Sequence, residues 1–268
     1  MSIANYGATL WLVDGQSVCC IKGKPFVQPL DTAKTNDLLN DDNIVALGKD
    51  YPSTYVCDKV VAQRLGILPD SHEFISYRQL VGTLDDKLNG VLARCLGLMY
   101  WHNSHRFCGA CGTPTAHDYD NVMKICPNCQ LHSYPKLQPC IITAILRFDD
   151  DNPKPQILLA KHHRHATLYT LIAGFVEVGE SLEQCVAREV HEEVGLMVEN
   201  PTFVGSQAWP YPSNLMVGFV CRYLSGDICI QEEELADARF FALDDLPALP
   251  PLGSIARRII ENIRLRYV

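Results

Sequence analysis

The spacing of apolar residues changes along the chain, and each change predicts a different kind of element. Near the N-terminus, Thr9–Val13 and Gln16–Ile21 are two short β-type runs flanking Asp14-Gly15, a dipeptide suited to a hairpin turn. Short apolar runs broken by Pro and Gly continue to about Ser76. From Asp85 to His102 the spacing becomes helical, with Leu88, Val91, Leu92, Cys95, Leu96 and Met99 on one stripe. Residues 107–133 are polar, cysteine-rich and too short to bury a core. After Pro139, Cys140–Phe148 and Gln156–Ala160 read as strands joined by a polar turn over 149–155, and Leu168–Ala173 as another. Ser181–Val194 reads as a helix with Ser181 as its N-cap. Strand patterns around Thr202–Gln207, Leu215–Tyr223 and Arg239–Ala242, then a helix over Arg257–Arg266, complete the chain. Strands and helices mixed on this scale predict an α+β fold or an α/β/α layered one.

At 268 residues there is room for one large or two modest cores. No apolar run approaches the roughly 18 residues that cross a bilayer; Cys140–Leu146 is far too short. Met1–Tyr6 lacks the basic start of a secretory signal, so export is not expected. The net charge of -8 gives no long-range attraction to a nucleic-acid backbone or anionic membrane. It leaves room for recognition of one RNA end and favours divalent cations. Twelve cysteines without an export signal predict reduced thiols, metal binding and a cytoplasmic setting. Eight of them (Cys19, Cys20, Cys57, Cys95, Cys140, Cys185, Cys221 and Cys229) sit among apolar neighbours and are expected to be small buried side chains.

The other four form Cys108-x2-Cys111 and Cys126-x2-Cys129, separated by 14 residues. Each pair can turn both thiolates toward one ion, and two pairs close a tetrahedral shell with no position left for substrate. The expectation is one structural Zn²⁺ that holds a segment with little core. His102, His105, His117 and His132 are then bystanders. His162, His163 and His165 could meet phosphate, and an exposed turn is the expectation.

Residues 174–196 read GFVEVGESLEQCVAREVHEEVGL. Glu189, Glu192 and Glu193 share a helix face by i,i+3 and i,i+4 spacing, with Val186, Val190 and Val194 beside it to pin the helix. Crowded carboxylates repel, and an oxygen-seeking cation such as Mg²⁺ or Mn²⁺ relieves that repulsion. Arg188 can bridge the carboxylates. Gly174 and Gly195 are expected to mark sharp chain reversals. Such a site could polarise a diphosphate and activate water, with one carboxylate taking the proton.

The same residues carry a family resemblance. Gly174, Glu180, Arg188, Glu189, Glu192, Glu193 and Gly195 fill every fixed position of the Nudix box, Gx5Ex7REUxEExGU. Downstream, SQAWPYPSN at 206–214 resembles SQPWPFPxS, the signature of the NADH diphosphatases within the Nudix superfamily, with Ala208, Tyr211 and Asn214 departing from it. A zinc ribbon before the Nudix domain, and a β-rich domain before that, are features of the same subfamily.

The resemblance implies a Nudix α/β/α sandwich over 136–268, preceded by a zinc ribbon over 105–135 and a β-rich N-terminal domain over 1–104 that ends in a helix. It implies catalytic roles for Glu180, Arg188, Glu189, Glu192 and Glu193. The Ala173 carbonyl, Glu189, Glu192, Glu193 and Glu234 would hold Mg²⁺ or Mn²⁺. Substrate contacts would come from Arg78, Tyr134, Phe175, Gln207, Trp209, Tyr211, Asn214, Met216 and Ala256. A homodimer is implied as well. The expected reaction is hydrolysis of NAD(H) to nicotinamide mononucleotide and AMP, and removal of the 5′ NAD cap from RNA. The residues alone also allow another nucleoside-diphosphate substrate such as ADP-ribose, or an inactive domain with the ribbon as a docking module. They leave Glu234 readable as a solvated charge.

Overall fold

The first hairpin forms where its turn dipeptide lies. The computed structural model of the protein describes residues 8–30, 41–118, 121–149, 151–164 and 167–268; Met1–Tyr6 and His165 lie outside them. Strand β1 (Ala8–Asp14) pairs antiparallel with β2 (Ser17–Ile21), Val13 opposite Val18 and Asp14 opposite Ser17. Gly15 takes φ +56°, which a side chain would resist. With β3 (Lys24–Pro25), β4 (Val27–Leu30), β5 (Val45–Ala46), β6 (Thr54–Asp58) and β7 (Glu73–Ser76) these make a seven-stranded sheet ordered β3-β2-β1-β6-β5, with β4 on β1 and β7 on β2. Leu10, Leu12, Cys19, Ile44, Cys57 and Val61 pack into its core.

Two helices here escape the pattern reading. Helix α1 (Lys59–Arg64) starts because the Asp58 carboxylate accepts the Val61 N–H at 2.9 Å, and it buries Val61 and Ala62. Helix α2 (Tyr77–Leu80) is a single turn after β7. The long helix α3 (Asp86–Ser104) matches the expected stripe, is N-capped by Asp85 through Leu88 N–H at 2.8 Å, and runs two residues beyond His102. The cysteine-rich segment folds as a three-stranded antiparallel sheet of β8 (Ala116–Asp118), β9 (Met123–Ile125) and β10 (His132–Ser133).

The rest of the chain comprises β11 (Gln138–Asp149), β12 (Asn152–His162), β13 (Ile172–Phe175), α4 (Leu182–Val194), β14 (Met197–Trp209), β15 (Asn214–Ser225), β16 (Leu235–Ala242) and α5 (Ile255–Tyr267). Its mixed six-stranded sheet is ordered β14-β15-β11-β12-β16, with β13 on β11. Strand β13 lies later than the expected Leu168–Ala173; Thr170 instead makes an isolated bridge to Ala160. The turn between β11 and β12 is shorter than expected, since Asp149 already faces Asn152. Parallel pairing of β11 with β15 sets Cys140 against Met216.

Alternation along β15 distributes the helices. Val217, Phe219 and Cys221 join the core under α4, with Ile141, Ile145, Val186, Val190 and Val194. Gly218 points the other way, and a Cβ there would lie 2.8 Å from Ile259 and 3.2 Å from Ile255 of α5. The two helices therefore cover opposite faces, giving the expected α/β/α sandwich. Contacts group the chain into two units: Met1–Leu80, Leu84–Leu137 and Trp209–Ser213 form one; Val81–Thr83, Gln138–Ala208 and Asn214–Val268 form the other. Among the described residues no helix is long and apolar enough to cross a membrane.

Ile145 is fully buried beneath α4. Ile145→Ala is expected to cost about 2–5 kcal/mol through lost burial and a cavity, read as a lower urea midpoint at an unchanged m-value.

Candidate functional site

Helix α4 is fixed at both ends and along one face. At its start Ser181 Oγ accepts the Gln184 N–H at 3.2 Å, and the Gln184 side chain accepts the Ser181 N–H at 2.8 Å, a reciprocal capping box. At its end Gly195 adopts φ +71° and donates to His191 O at 2.9 Å. Val186, Val190 and Val194 are fully buried, as their spacing implied. This anchorage leaves Arg188, Glu189, Glu192 and Glu193 in set directions.

Arg188 organises the acidic side. Its Nε and Nη2 grip both oxygens of Glu180 at 2.8 and 2.9 Å. Its Nη1 donates to Glu189 Oε1 and Glu192 Oε2, each at 2.9 Å, and Nη2 donates to the Phe175 carbonyl at 2.9 Å. The planar fork of donors suits this arrangement, and an ammonium would not span it. The guanidinium holds the Glu180 carboxyl down to about 2, helped by the Glu177 N–H.

The expected carboxylate face divides in two. Glu192 keeps a side chain 54% exposed, on the solvent side. Glu193 is 3% exposed, and its Oε2 has no hydrogen-bond partner among the described residues. Burial, then the charges of Glu189 and Glu234, push the Glu193 carboxyl up to about 8, against the opposing charge of Arg164. Glu189 is also shifted upward by burial, partly offset by Arg188 and reinforced by Glu192 and Glu234.

Glu234 reaches this cluster from a turn whose Gln231 N–H donates to Glu193 O at 2.9 Å, with Glu234 N–H returning to Gln231 O at 3.0 Å. His163, expected in an exposed turn, holds that turn: its ring Nε2 lies 2.8 Å from Glu232 O, and its N–H donates to Glu234 O at 3.3 Å. Neither His163 nor Arg164 carried a signal for this in sequence, because their partners lie about 30 to 70 residues away.

Gly174 corrects an expectation. It lies within β13, opposite Ile141, and makes no reversal. Its missing side chain instead leaves space, since a Cβ there would overlap the Glu189 carboxylate. Ala173, beside it, pairs with Ile142. A partnerless buried carboxylate oxygen beside two further carboxylates fits a hard divalent cation, which takes oxygen ligands and cancels like charge.

The cysteine quartet forms the other metal centre. Cys108, Cys111, Cys126 and Cys129 bring their Sγ atoms within 4.8 Å of one another, and among the described residues they are the one group of three or more candidate ligands that closes so tightly. Three separations are 3.5, 3.5 and 3.7 Å. A tetrahedron with Zn–S of about 2.3 Å has edges of roughly 3.8 Å, so the shell fits zinc closed by four thiolates. Both knuckles turn tightly: Gly112 N–H donates to Cys108 O and Gln130 N–H to Cys126 O, each at 2.9 Å.

His102 and His117 meet ring to ring at 2.8 Å, outside the thiolate shell. Lys124, 2% exposed, donates to His102 O at 2.8 Å and His105 O at 3.2 Å at the end of α3. Of the other eight cysteines, seven are buried as expected; Cys229 is exposed, because it sits on the loop after β15.

The residues carried over as substrate contacts fall in both units. In the unit of the sandwich, Phe175 is exposed at the end of β13, Met216 and Ala256 are buried, and Asn214 is 8% exposed with Oδ1 unpartnered among the described residues. Gln207 donates to Gly253 O at 2.9 Å and accepts the Ile255 N–H at 2.7 Å, so its amide braces the start of α5. In the other unit Tyr134 is exposed, and Arg78 lies over the rings of Tyr211 and Trp209 at 4.6 and 5.9 Å. Ser76 and Tyr77 also touch these aromatics, and the sequence reading missed both.

Two measurements probe the centres. Without metal, the raised Glu193 carboxyl contributes stability that is full below its ordinary value of 4.5 and is lost as pH rises through about 8. The melting temperature without added Mg²⁺ or Mn²⁺ should therefore fall over that window, Glu193→Gln should flatten the fall, and Mn²⁺ should stabilise more at pH 8 than at pH 5. Cys126→Ser should release zinc to a chromogenic chelator and lower the melting temperature; retained zinc at unchanged stability would contradict the structural assignment.

Comparison with known proteins finds a Nudix domain and a zinc ribbon. The NUDIX domain model matches residues 139–263, and the NADH pyrophosphatase zinc ribbon domain model matches residues 103–134. NAD-capped RNA hydrolase NudC of Edwardsiella ictaluri is 45% identical over 191 residues, 71% of this chain and 72% of its own. The protein of the same name from Salmonella schwarzengrund is 46% identical over 192 residues, with the same coverage. A solved Nudix hydrolase from Nitrosomonas europaea is 27% identical and aligns over 60% of this chain and 89% of its own, at a TM-score of 0.45. With a Nudix domain, this particular zinc ribbon and relatives of such identity over most of their length, the chain belongs to the family of the NudC NAD-capped RNA hydrolases, Nudix enzymes with an NADH pyrophosphatase zinc ribbon.

Proposed function

We propose that the protein hydrolyses the diphosphate of NAD(H) to nicotinamide mononucleotide and AMP, and removes the NAD cap from RNA to leave a 5′-monophosphate end. The observation that carries this reading is the buried Glu193, whose Oε2 has no partner among the described residues, beside Glu189 and Glu234 in a chain that also has the family's zinc ribbon. In the reaction, water adds to one phosphorus of the anhydride, the bridging P–O bond breaks, and the bridging oxygen leaves with the other phosphate.

Glu189, Glu192, Glu193, Glu234 and the Ala173 carbonyl are the ligands we propose for Mg²⁺ or Mn²⁺. Bound there, the cation supplies charge withdrawal from the diphosphate oxygens and a lowered pKa for water. Glu193 takes the proton of the attacking water, a role for which a carboxylate kept ionised beside a divalent cation is suited. Arg188 and Glu180 act together to keep Glu189 and Glu192 oriented.

In the sandwich unit, Phe175 offers a ring face for a base or the nicotinamide, Met216 and Ala256 offer apolar surface, and Asn214 Oδ1 offers an acceptor for an N–H; Gln207 supports Ala256 through the start of α5. In the other unit, Tyr134, Arg78, Trp209 and Tyr211 are the proposed contacts. We assign residues 1–104 to a β-rich domain, 105–135 to the ribbon and 136–268 to the Nudix domain, and place the protein in the cytoplasm as a homodimer.

Incubation with NADH, ADP-ribose, diadenosine polyphosphate and NAD-capped RNA, with Mg²⁺ or Mn²⁺, tests the substrate. NADH and capped RNA should be cleaved in preference; a preference for ADP-ribose over NADH would sink the reading. Glu193→Gln should lower kcat by about 10²–10⁴ with circular dichroism unchanged, and a near-normal rate would remove Glu193 from the chemistry.

A further inference from the structure

We infer that the Tyr211 hydroxyl, apart from the ring contact proposed above, is a positioning group that acts through Arg78 and sets how tightly the dinucleotide binds; this rests on the substrate reading above. Helix α2 starts at Tyr77, so the Arg78 N–H lies in a first turn and has no partner within the helix. The Tyr211 hydroxyl accepts that N–H at 2.7 Å and lies 3.2 Å from Ser76 Oγ. A phenol has one proton and two lone pairs, so both bonds form together. The face of the same ring carries the Arg78 guanidinium at 4.6 Å, within cation–π range.

One side chain thus grips Arg78 at its backbone and at its charge. Trp209 extends the support: it lies 5.2 Å from the Tyr211 ring and 5.9 Å from the guanidinium, and buried Tyr77 meets it edge-on at 6.1 Å. These contacts place the guanidinium over the two aromatic rings. Its N–H edge keeps the donor geometry that pairs with a phosphate oxygen.

The signature SQPWPFPxS has Phe where this chain has Tyr211. A phenyl ring would keep the cation–π face and lose both hydrogen bonds. The hydroxyl therefore adds one function, restraint of the Arg78 segment before substrate arrives. An arginine already ordered loses less conformational freedom on binding an anion. The gain belongs to binding and not to bond breaking, which predicts a split between KM and kcat.

The test compares wild type, Tyr211→Phe, Arg78→Ala and the double variant with NADH and Mn²⁺. Tyr211→Phe should raise KM for NADH roughly fivefold, with kcat changed less than twofold. Arg78→Ala should raise KM further, and the double variant should match Arg78→Ala alone, since the tether then has nothing to hold. An unchanged KM in Tyr211→Phe, a loss confined to kcat, or additive effects in the double variant would overturn the inference. Hydrogen exchange on the substrate-free protein reads the tether itself: the Arg78 amide should exchange faster in Tyr211→Phe, and equal rates would also overturn it. Failure of wild type to cleave NADH would strike the substrate reading and the binding role together, while faster exchange would still support the tether.

Discussion

The site depends on one cation among carboxylates. Arg188 joins Glu180, Glu189, Glu192 and the Phe175 carbonyl through a single planar group. Without it, two acids of one helix and one of the preceding loop would repel each other and point to solvent. With it, the loop after β13 is tied to the middle of α4, and Glu189 is held against the backbone at Gly174, where no side chain competes for space. The pairs are partly exposed, so their net contribution to stability is modest. Their contribution to geometry is large, because the fork permits few arrangements.

Glu193 stands outside that arrangement, and this is its importance. It is buried on the core side of the same helix, beyond the reach of the Arg188 bonds, with Glu189, Glu234 and the opposing Arg164 as its charged neighbours. Its environment favours the neutral form, whereas a bound divalent cation favours the ionised one. The fold holds it there through forces that have nothing to do with charge: the buried valines of α4, the capping box and the left-handed Gly195. Apolar packing offsets electrostatic strain at the point where chemistry needs it.

Legibility in the sequence followed the distance between partners. Box residues lie within a few helical turns, so their spacing exposed the bridge from Arg188 to its neighbouring carboxylates. The cysteine pairs were legible because a knuckle is local. Helix α1 was missed because it is six residues long, with no helical stripe to read, and only the Asp58 cap marks it. Gly174 was misread because glycine serves two purposes, positive φ or absent volume, and sequence does not distinguish them. The link from Tyr211 to Ser76 and Arg78 spans more than 130 residues, and no local pattern announces it.

Lys124 shows how far the ribbon reaches. Its ammonium, rooted in β9 two residues before Cys126, caps the last carbonyls of α3, the negative end of that helix. The knuckle holds β9 in place, and β9 holds the cap. If the thiolates were oxidised and the ion expelled, the cation would lose its footing and the final turn of α3 would fray. The redox state of four cysteines is thereby written into the length of a helix that contains none of them.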